Sequence, residues 1–296
     1  MWQLIFRGSI IVAAIHALGC NGNSQDRIPD PGVQASNLSG IADVAGYAHA
    51  LPASRFALGP VMSEADENGY HKWIGTDGVF AIDNLNSASA GVPNGNSSIF
   101  AKKRFSLSGN AHGALVRDYF VANGLPPDQI GLVQNLSQVE GGGPVESAAS
   151  AEQKLKAYYT VLTRQVAGVP APDSHAWAAV TESGEVIAEA VHWPPIPKES
   201  VARALAFASN MASMQYRADY LSRLSPSAQT GMVVIRHGTR LDRGPAFATV
   251  VWEYNVPIIG PKGATSSVQV HFDESGQPVT LPRELAQGFV PMADRK

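Results

Sequence analysis

One order of elements occurs twice along the chain and dictates the fold class: an amphipathic helix followed by short alternating strands, over residues 110–193 and again over 197–282. In the first copy Asn110 can cap a helix whose apolar residues Ala114, Leu115 and Tyr119, with Val121 or Ala122, recur at helical spacing. Asn123-Gly124 with Pro126-Pro127 ends that helix. Segments 130–139 and 155–166 read as strands, the second rich in aromatic and β-branched residues, with Gly141-Gly142-Gly143-Pro144 in the loop between them. Residues 168–172 supply a turn. Then His175, Trp177 and Ala179 alternate with Ala176, Ala178 and Val180, and Glu182-Ser183-Gly184 turns the chain into a strand over 185–193. In the second copy Pro197 opens a helix with Val201, Leu205 and Ala208 on one face. Residues 210–230 are polar and partly helical at most, and 232–236, 246–258, 266–273 and 277–281 read as four strands. A helix stripe buried on one face of an antiparallel sheet is an α+β unit, so two helix-on-antiparallel-sheet modules are expected. The 28 glycines and 20 prolines among 296 residues supply the turns that so many short elements need.

The amino-terminal region has a different character. Residues 8–19 carry no charge and follow a segment with the single cation Arg7, a run too short to span a bilayer and of the length of a signal-peptide core. The chain's one cysteine comes next, so neither an intramolecular disulfide nor a cysteine-based zinc site can form. Ala17-Leu18-Gly19-Cys20 resembles the bacterial lipobox, although Ala17 and Leu18 stand interchanged and His16 is a polar guest. The resemblance implies cleavage before Cys20 and a diacylglycerol on its thiol, a membrane anchor in which each buried methylene contributes about 0.8 kcal/mol. Asn21 rather than aspartate then points to the outer membrane. Residues 21–39 form a polar, aperiodic spacer. Beside such a start the sequons at Asn37, Asn96 and Asn135 are coincidental. The expected organisation is a signal peptide over 1–19, a lipidated flexible tether over 20–39 and an irregular lead-in with a few strands, including 78–83 and 98–107, over 40–109. The first module follows over 110–194, the second over 195–285, and a tail over 286–296.

The modules also resemble a known family. Residues 158–193, with Gly168-Val169-Pro170 and Glu182-Ser183-Gly184-Glu185-Val186 between strands, are similar to the propeptide of fungalysin- and thermolysin-type metalloproteases. Residues 249–279, with Tyr254-Asn255-Val256 and Phe272-Asp273-Glu274-Ser275-Gly276-Gln277-Pro278-Val279, resemble the PepSY domain of the same propeptides. That resemblance implies a cystatin-like helix laid across an antiparallel sheet, in modules that inhibit an attached protease or assist its folding. No His-Glu-x-x-His occurs, so the zinc site and general base of such a protease are missing.

Other chemistry is scarce. There is no Gly-x-Ser-x-Gly, no phosphate loop and no dinucleotide fingerprint, and Pro144 denies Gly141-Gly142-Gly143 the N–H groups of a phosphate cradle. His49, His71, Asp66, Asp77 and Asp83 match no metal-ligand spacing and read as loop polar residues, so no metal or cofactor is expected. Arg236, His237, Arg240 and Arg243 form the one local cationic cluster. Its Arg-His-Gly start resembles histidine phosphatases, but residues 244–296 are too few and too strand-like for the α/β domain that family needs. The cluster therefore reads as an exposed hairpin tip with solvated arginines. His175, Trp177, His192 and Trp193 lie on adjacent strands as a candidate binding face, with core or rim packing as the other reading. With 22 Lys+Arg against 25 Asp+Glu and a net charge of -3, nucleic acid is not an expected partner. The function expected is a lipid-anchored, non-enzymatic binding protein of the bacterial envelope, contacting the membrane through Cys20 and a protease or envelope protein through its sheets. The alternative is an envelope-associated hydrolase around His175 and His192 or Arg236 and His237.

Overall fold

Alternating segments joined by tight turns can satisfy their backbone only by pairing, and here every pairing is antiparallel. The computed structural model describes residues 43–47, 59–67, 70–85, 87–93, 108–141, 153–238, 247–259 and 265–281. A first meander comprises β1 (Val61–Glu67), β2 (Tyr70–Gly75), β3 (Gly78–Asp83) and β4 (Ala88–Pro93). A second comprises β5 (Ile130–Gly141), β6 (Gln153–Val166), β7 (Val169–Val180) and β8 (Val186–His192). They join through β4 and β8 into one 8-stranded sheet, order β1-β2-β3-β4-β8-β7-β6-β5. The strands β9 (Met232–Gly238), β10 (Phe247–Ile259) and β11 (Thr265–Phe272) make a separate 3-stranded sheet. The protein is thus mixed α and β, with sheet dominant.

Helix α1 (Gly109–Ala122) crosses one face of the large sheet. Its cap is Ser108 rather than Asn110: Ser108 is extended, and its hydroxyl accepts from the Ala111 N–H at 3.3 Å. Val116 and Phe120 are fully buried against Phe80, Leu162, Ala176, Ala178 and Trp193, and each such side chain contributes roughly 1.5–3 kcal/mol of burial. Helices α2 (Lys198–Ala212) and α3 (Met214–Leu221) cover the small sheet, where Val201, Ala204 and Phe207 pack on Ile235, Val250 and Trp252. This second core also takes in Val166, Val169 and Ala171, from the end of the β6–β7 hairpin. The turn of that hairpin is Ala167-Gly168, both residues at positive φ (48° and 83°), not 168–172 as expected. Two left-handed residues are what a two-residue hairpin turn demands.

Other departures have physical causes. Residues 61–93 hold four strands where the sequence showed one at 78–83; the expected strand at 98–107 lies outside the described residues. β1 runs along the sheet edge with Val61–Asp66 all exposed, so no apolar alternation marks it, and β4 (Ala-Ser-Ala-Gly-Val-Pro) is made mostly of small residues that fit a crowded central position. Residues 277–281 make only a single bridge, Phe272 to Pro278, because proline brings no N–H to a ladder. No helix among the described residues is long and apolar enough to cross a membrane.

Candidate functional site

A proline inside a strand has to sit where no ladder hydrogen bond is lost, and Pro172 does so at a bulge in β7. The β6–β7 register runs from Thr163 opposite His175 directly to Arg164 opposite Ala171, so 172–174 are extruded from the sheet. The extruded Asp173 organises everything around it. Its Oδ1 accepts from Arg236 Nη1 at 2.6 Å and its Oδ2 from the His237 backbone N–H at 3.0 Å, tying β7 to the small sheet. Its backbone carbonyl accepts from Nδ1 of His175 at 3.2 Å and of His192 at 2.7 Å. A carbonyl only accepts, so both rings carry their proton on Nδ1.

Arg236 is held on every side. Besides Asp173, its Nε donates to Glu253 Oε2 at 2.6 Å and its Nη2 to Gln269 Oε1 at 2.9 Å, while His271 Nε2 lies 3.0 Å from Glu253 Oε2. Burial opposes ionisation of Glu253, but the His271 hydrogen bond and the Arg236 guanidinium outweigh it and hold the carboxyl below its ordinary range. His237 is wholly buried, with Nδ1 3.3 Å from the equally buried Ser174 Oγ and no partner for Nε2. Burial, the neighbouring His192 and Arg164 push its pKa down to about 3. Burial and His192 likewise lower His175 to about 4, against the upward pull of the Asp173 carbonyl.

The two regions singled out in the sequence, 175–193 and 236–243, therefore converge. His175 and His192 are direct cross-strand partners with ring centroids 6.2 Å apart, and the His237 ring stands edge-on to His192 at 6.4 Å. Trp177 shares their face, in edge contact with Tyr159 at 5.8 Å. Trp193 does not. It is fully buried on the opposite face, donating to Gln129 Oε1 at 3.2 Å beneath the Arg164 guanidinium, because neighbouring strand residues point to opposite sides. Nor is 236–237 an exposed tip: both residues are buried, because β9 continues to Gly238 and its edge is covered by the β7 bulge. Arg240, Arg243, Cys20 and His49 lie outside the described residues.

Asp173, Ser174, Glu253, Gln269 and His271 escaped sequence reasoning; the one available signal was Pro172 within an otherwise strand-like run. His71 and Asp66 are not loop residues either. They pair across β1 and β2, with His71 Nδ1 2.7 Å from Asp66 and Nε2 2.6 Å from Glu64.

The cluster is built to lock rather than to ligate. Among the described residues no three His, Cys, Asp or Glu side chains are arranged to hold a metal ion.

No family model and no curated protein matches this chain. A solved structure of an uncharacterized protein from Eubacterium rectale ATCC 33656 aligns over 81% of this chain and 86% of its own, at 12% identity and a TM-score of 0.35.

Proposed function

We propose that this is a lipid-anchored, non-enzymatic binding protein of the bacterial cell envelope, held in the outer membrane through Cys20, with its sheets directed at a protease or another envelope protein. On this reading the helix-on-sheet units are propeptide- and PepSY-like modules without an enzyme attached. One observation carries the non-catalytic side of the proposal: the polar residues that the fold gathers are bonded to one another. Arg236 is engaged by Asp173, Glu253 and Gln269, and the Ser174–His237 pair is sealed from solvent. A nucleophile and base buried this way have no path to a substrate. The anchor rests on Cys20 itself, one thiol between an uncharged run and a polar spacer.

Two measurements test the proposal. A clickable fatty acid should label the wild type and not Cys20→Ser, and an unlabelled wild type would remove the anchor. Co-purification from detergent-solubilised envelopes should recover a defined protein at constant stoichiometry, and repeated recovery of none would remove the binding role. The hydrolase reading draws on the convergence of His175, His192, Arg236 and His237 at one seam. It predicts that alanine at His192 abolishes a hydrolytic activity of the pure protein, whereas the binding reading predicts no such activity to lose.

A further inference from the structure

We propose that β5 is a self-pairing edge, through which two copies of this chain join antiparallel about a two-fold axis at Leu136 into one continuous sheet. Among the described residues β5 ends the 8-stranded sheet with no strand along its outer side, and Gly131, Leu132 and Val133 are exposed there. A strand edge with bare N–H and C=O groups is a template for another strand, and proteins ordinarily guard it with charge. β5 has no such guard: Glu140 is its one charged residue. The other edges differ. β1 carries Glu64, Asp66 and Glu67 within 7 residues, a repulsive set for a second copy of itself. β9 is covered by the β7 bulge, and β11 is met at Phe272 by Pro278 and at the His271 carbonyl by the Val279 N–H at 2.8 Å.

The sequence of β5 fits its own reverse. Gly131-Leu132-Val133-Gln134-Asn135-Leu136-Ser137-Gln138-Val139-Glu140-Gly141 reads almost the same in both directions. Antiparallel pairing about Leu136 sets Val133 opposite Val139 of the second copy, Gln134 opposite its Gln138, Asn135 opposite its Ser137 and Gly131 opposite its Gly141. The one pair of unlike character, Leu132 with Glu140, brings no like charges together. Strand length points the same way. β6 pairs with β5 from Gln153 but with β7 only from Thr160, so 136–141 and 153–159 run beyond the sheet as two strands alone. A two-stranded ribbon is marginal in water, and a third strand steadies it. In the self-pair each extension, 136–141, lies along 131–136 of the other copy, so one patch serves both partners, as a two-fold interface requires.

Sedimentation equilibrium of the full-length protein in density-matched detergent should give two chains per particle. Gln134→Lys/Gln138→Lys sets lysine against lysine twice across the axis and should weaken association about tenfold, since like charges directly opposite destabilise a strand pair. Gln134→Lys/Gln138→Glu sets opposite charges at the same two places and should return association to near its wild-type strength. Both variants keep residues 1–42, so association through the amino-terminal segment would be unmoved by either. A wild type of one chain per particle would overturn the proposal. So would a dimer that Gln134→Lys/Gln138→Lys leaves equally tight, or a Gln134→Lys/Gln138→Glu protein as weakly associated as the doubly cationic one. If either variant does not fold, hydrogen exchange of the wild type decides alone. Amides of 133–139 should slow as concentration rises while those of 61–67 do not, and no dependence, or an equal one in both segments, would overturn the self-pairing.

Discussion

Asp173 and Arg236 meet at 2.6 Å across the junction of the two sheets, with both side chains largely buried, at 18% and 9% exposure. The same carboxylate caps the His237 N–H, so one residue extruded by a three-residue bulge closes both a charge pair and a strand edge.

Removing Asp173 takes one buried carboxylate from Arg236, which keeps Glu253 and Gln269, and leaves the buried His237 N–H without its acceptor. Asp173→Ala should therefore destabilise the protein by about 3 kcal/mol, read as a fall in the urea midpoint at constant m value. Asp173→Asn keeps an acceptor for one of the two donors and should lose roughly half as much. Equal stability of both variants with wild type would mean that Arg236 is satisfied by Glu253 and Gln269 alone.

Arg164 is a buried cation that, in place of a carboxylate, meets three neutral acceptors: Gln129 Oε1 at 2.9 Å, the Pro194 carbonyl at 2.5 Å and the Ala45 carbonyl at 3.1 Å. Burial lowers its pKa to about 9. Lysine carries one compact ammonium and cannot span three acceptors set by a planar fork. Arg164→Lys should cost about 2 kcal/mol and alter the fluorescence of Trp193, whose ring lies 5.2 Å beneath the guanidinium. An unshifted melting temperature would show that water replaces the lost bonds.

What could be seen in the sequence followed period and turn chemistry. The β7 alternation, the 182–184 turn and the α2 stripe through Val201 all emerge from spacing alone, because one buried face imposes it. The parity rule also contained the fate of Trp193, which as the residue next to His192 could not share its face. Asp173 was hidden for a different reason: a bulge breaks the period that makes strands visible, and its partners Arg236, Glu253 and Gln269 come from three other strands. Arg236-His237-Gly238 imitated a turn because charged and small residues usually sit in one. Only the tertiary covering of the β9 edge lets them continue a strand.

His71 sits between two carboxylates, Asp66 on Nδ1 and Glu64 on Nε2. Carboxylates accept only, so both bonds exist together only in the imidazolium form. The Asp66 hydrogen bond leads in raising the pKa of His71 above its ordinary value, with Glu64 adding to it against a smaller opposing effect of desolvation. The sign is that of a stabilised cation: the contribution is fully present below pH 6.5 and is lost as pH rises through the raised value. An NMR titration of the His71 ring should place its midpoint above that of a free histidine. Asp66→Asn should move the midpoint down, and so should added salt, because the pair is open to solvent. No movement with either change would remove the carboxylates as the cause.

His112 presents the opposite case. It lies wholly buried on the inner face of α1, where Nε2 accepts from the Val180 N–H at 3.2 Å and Nδ1 lies 2.7 Å from Thr160 Oγ1. The Thr160 hydroxyl in turn donates to Asn135 Oδ1 at 2.8 Å, which also explains why the side chain of that sequon is already occupied. One nitrogen must accept and the other donate, so the ring is neutral, and burial lowers its pKa to about 4. The unfolded chain binds a proton at pH 6.5 that the folded one refuses, so the stabilisation is complete above 6.5 and declines as pH falls toward 4. At about 1.4 kcal/mol per pH unit, the full loss from this one ring approaches about 3 kcal/mol. In His112→Gln, a neutral donor and acceptor at every pH, stability at pH 7 should drop by about 1–2 kcal/mol for the imperfect bonds. Between pH 6.5 and 4.5 its slope should be shallower than wild type by one proton. Urea unfolding across that range measures both quantities, and parallel slopes in the two proteins would remove His112 as a source of the acid sensitivity.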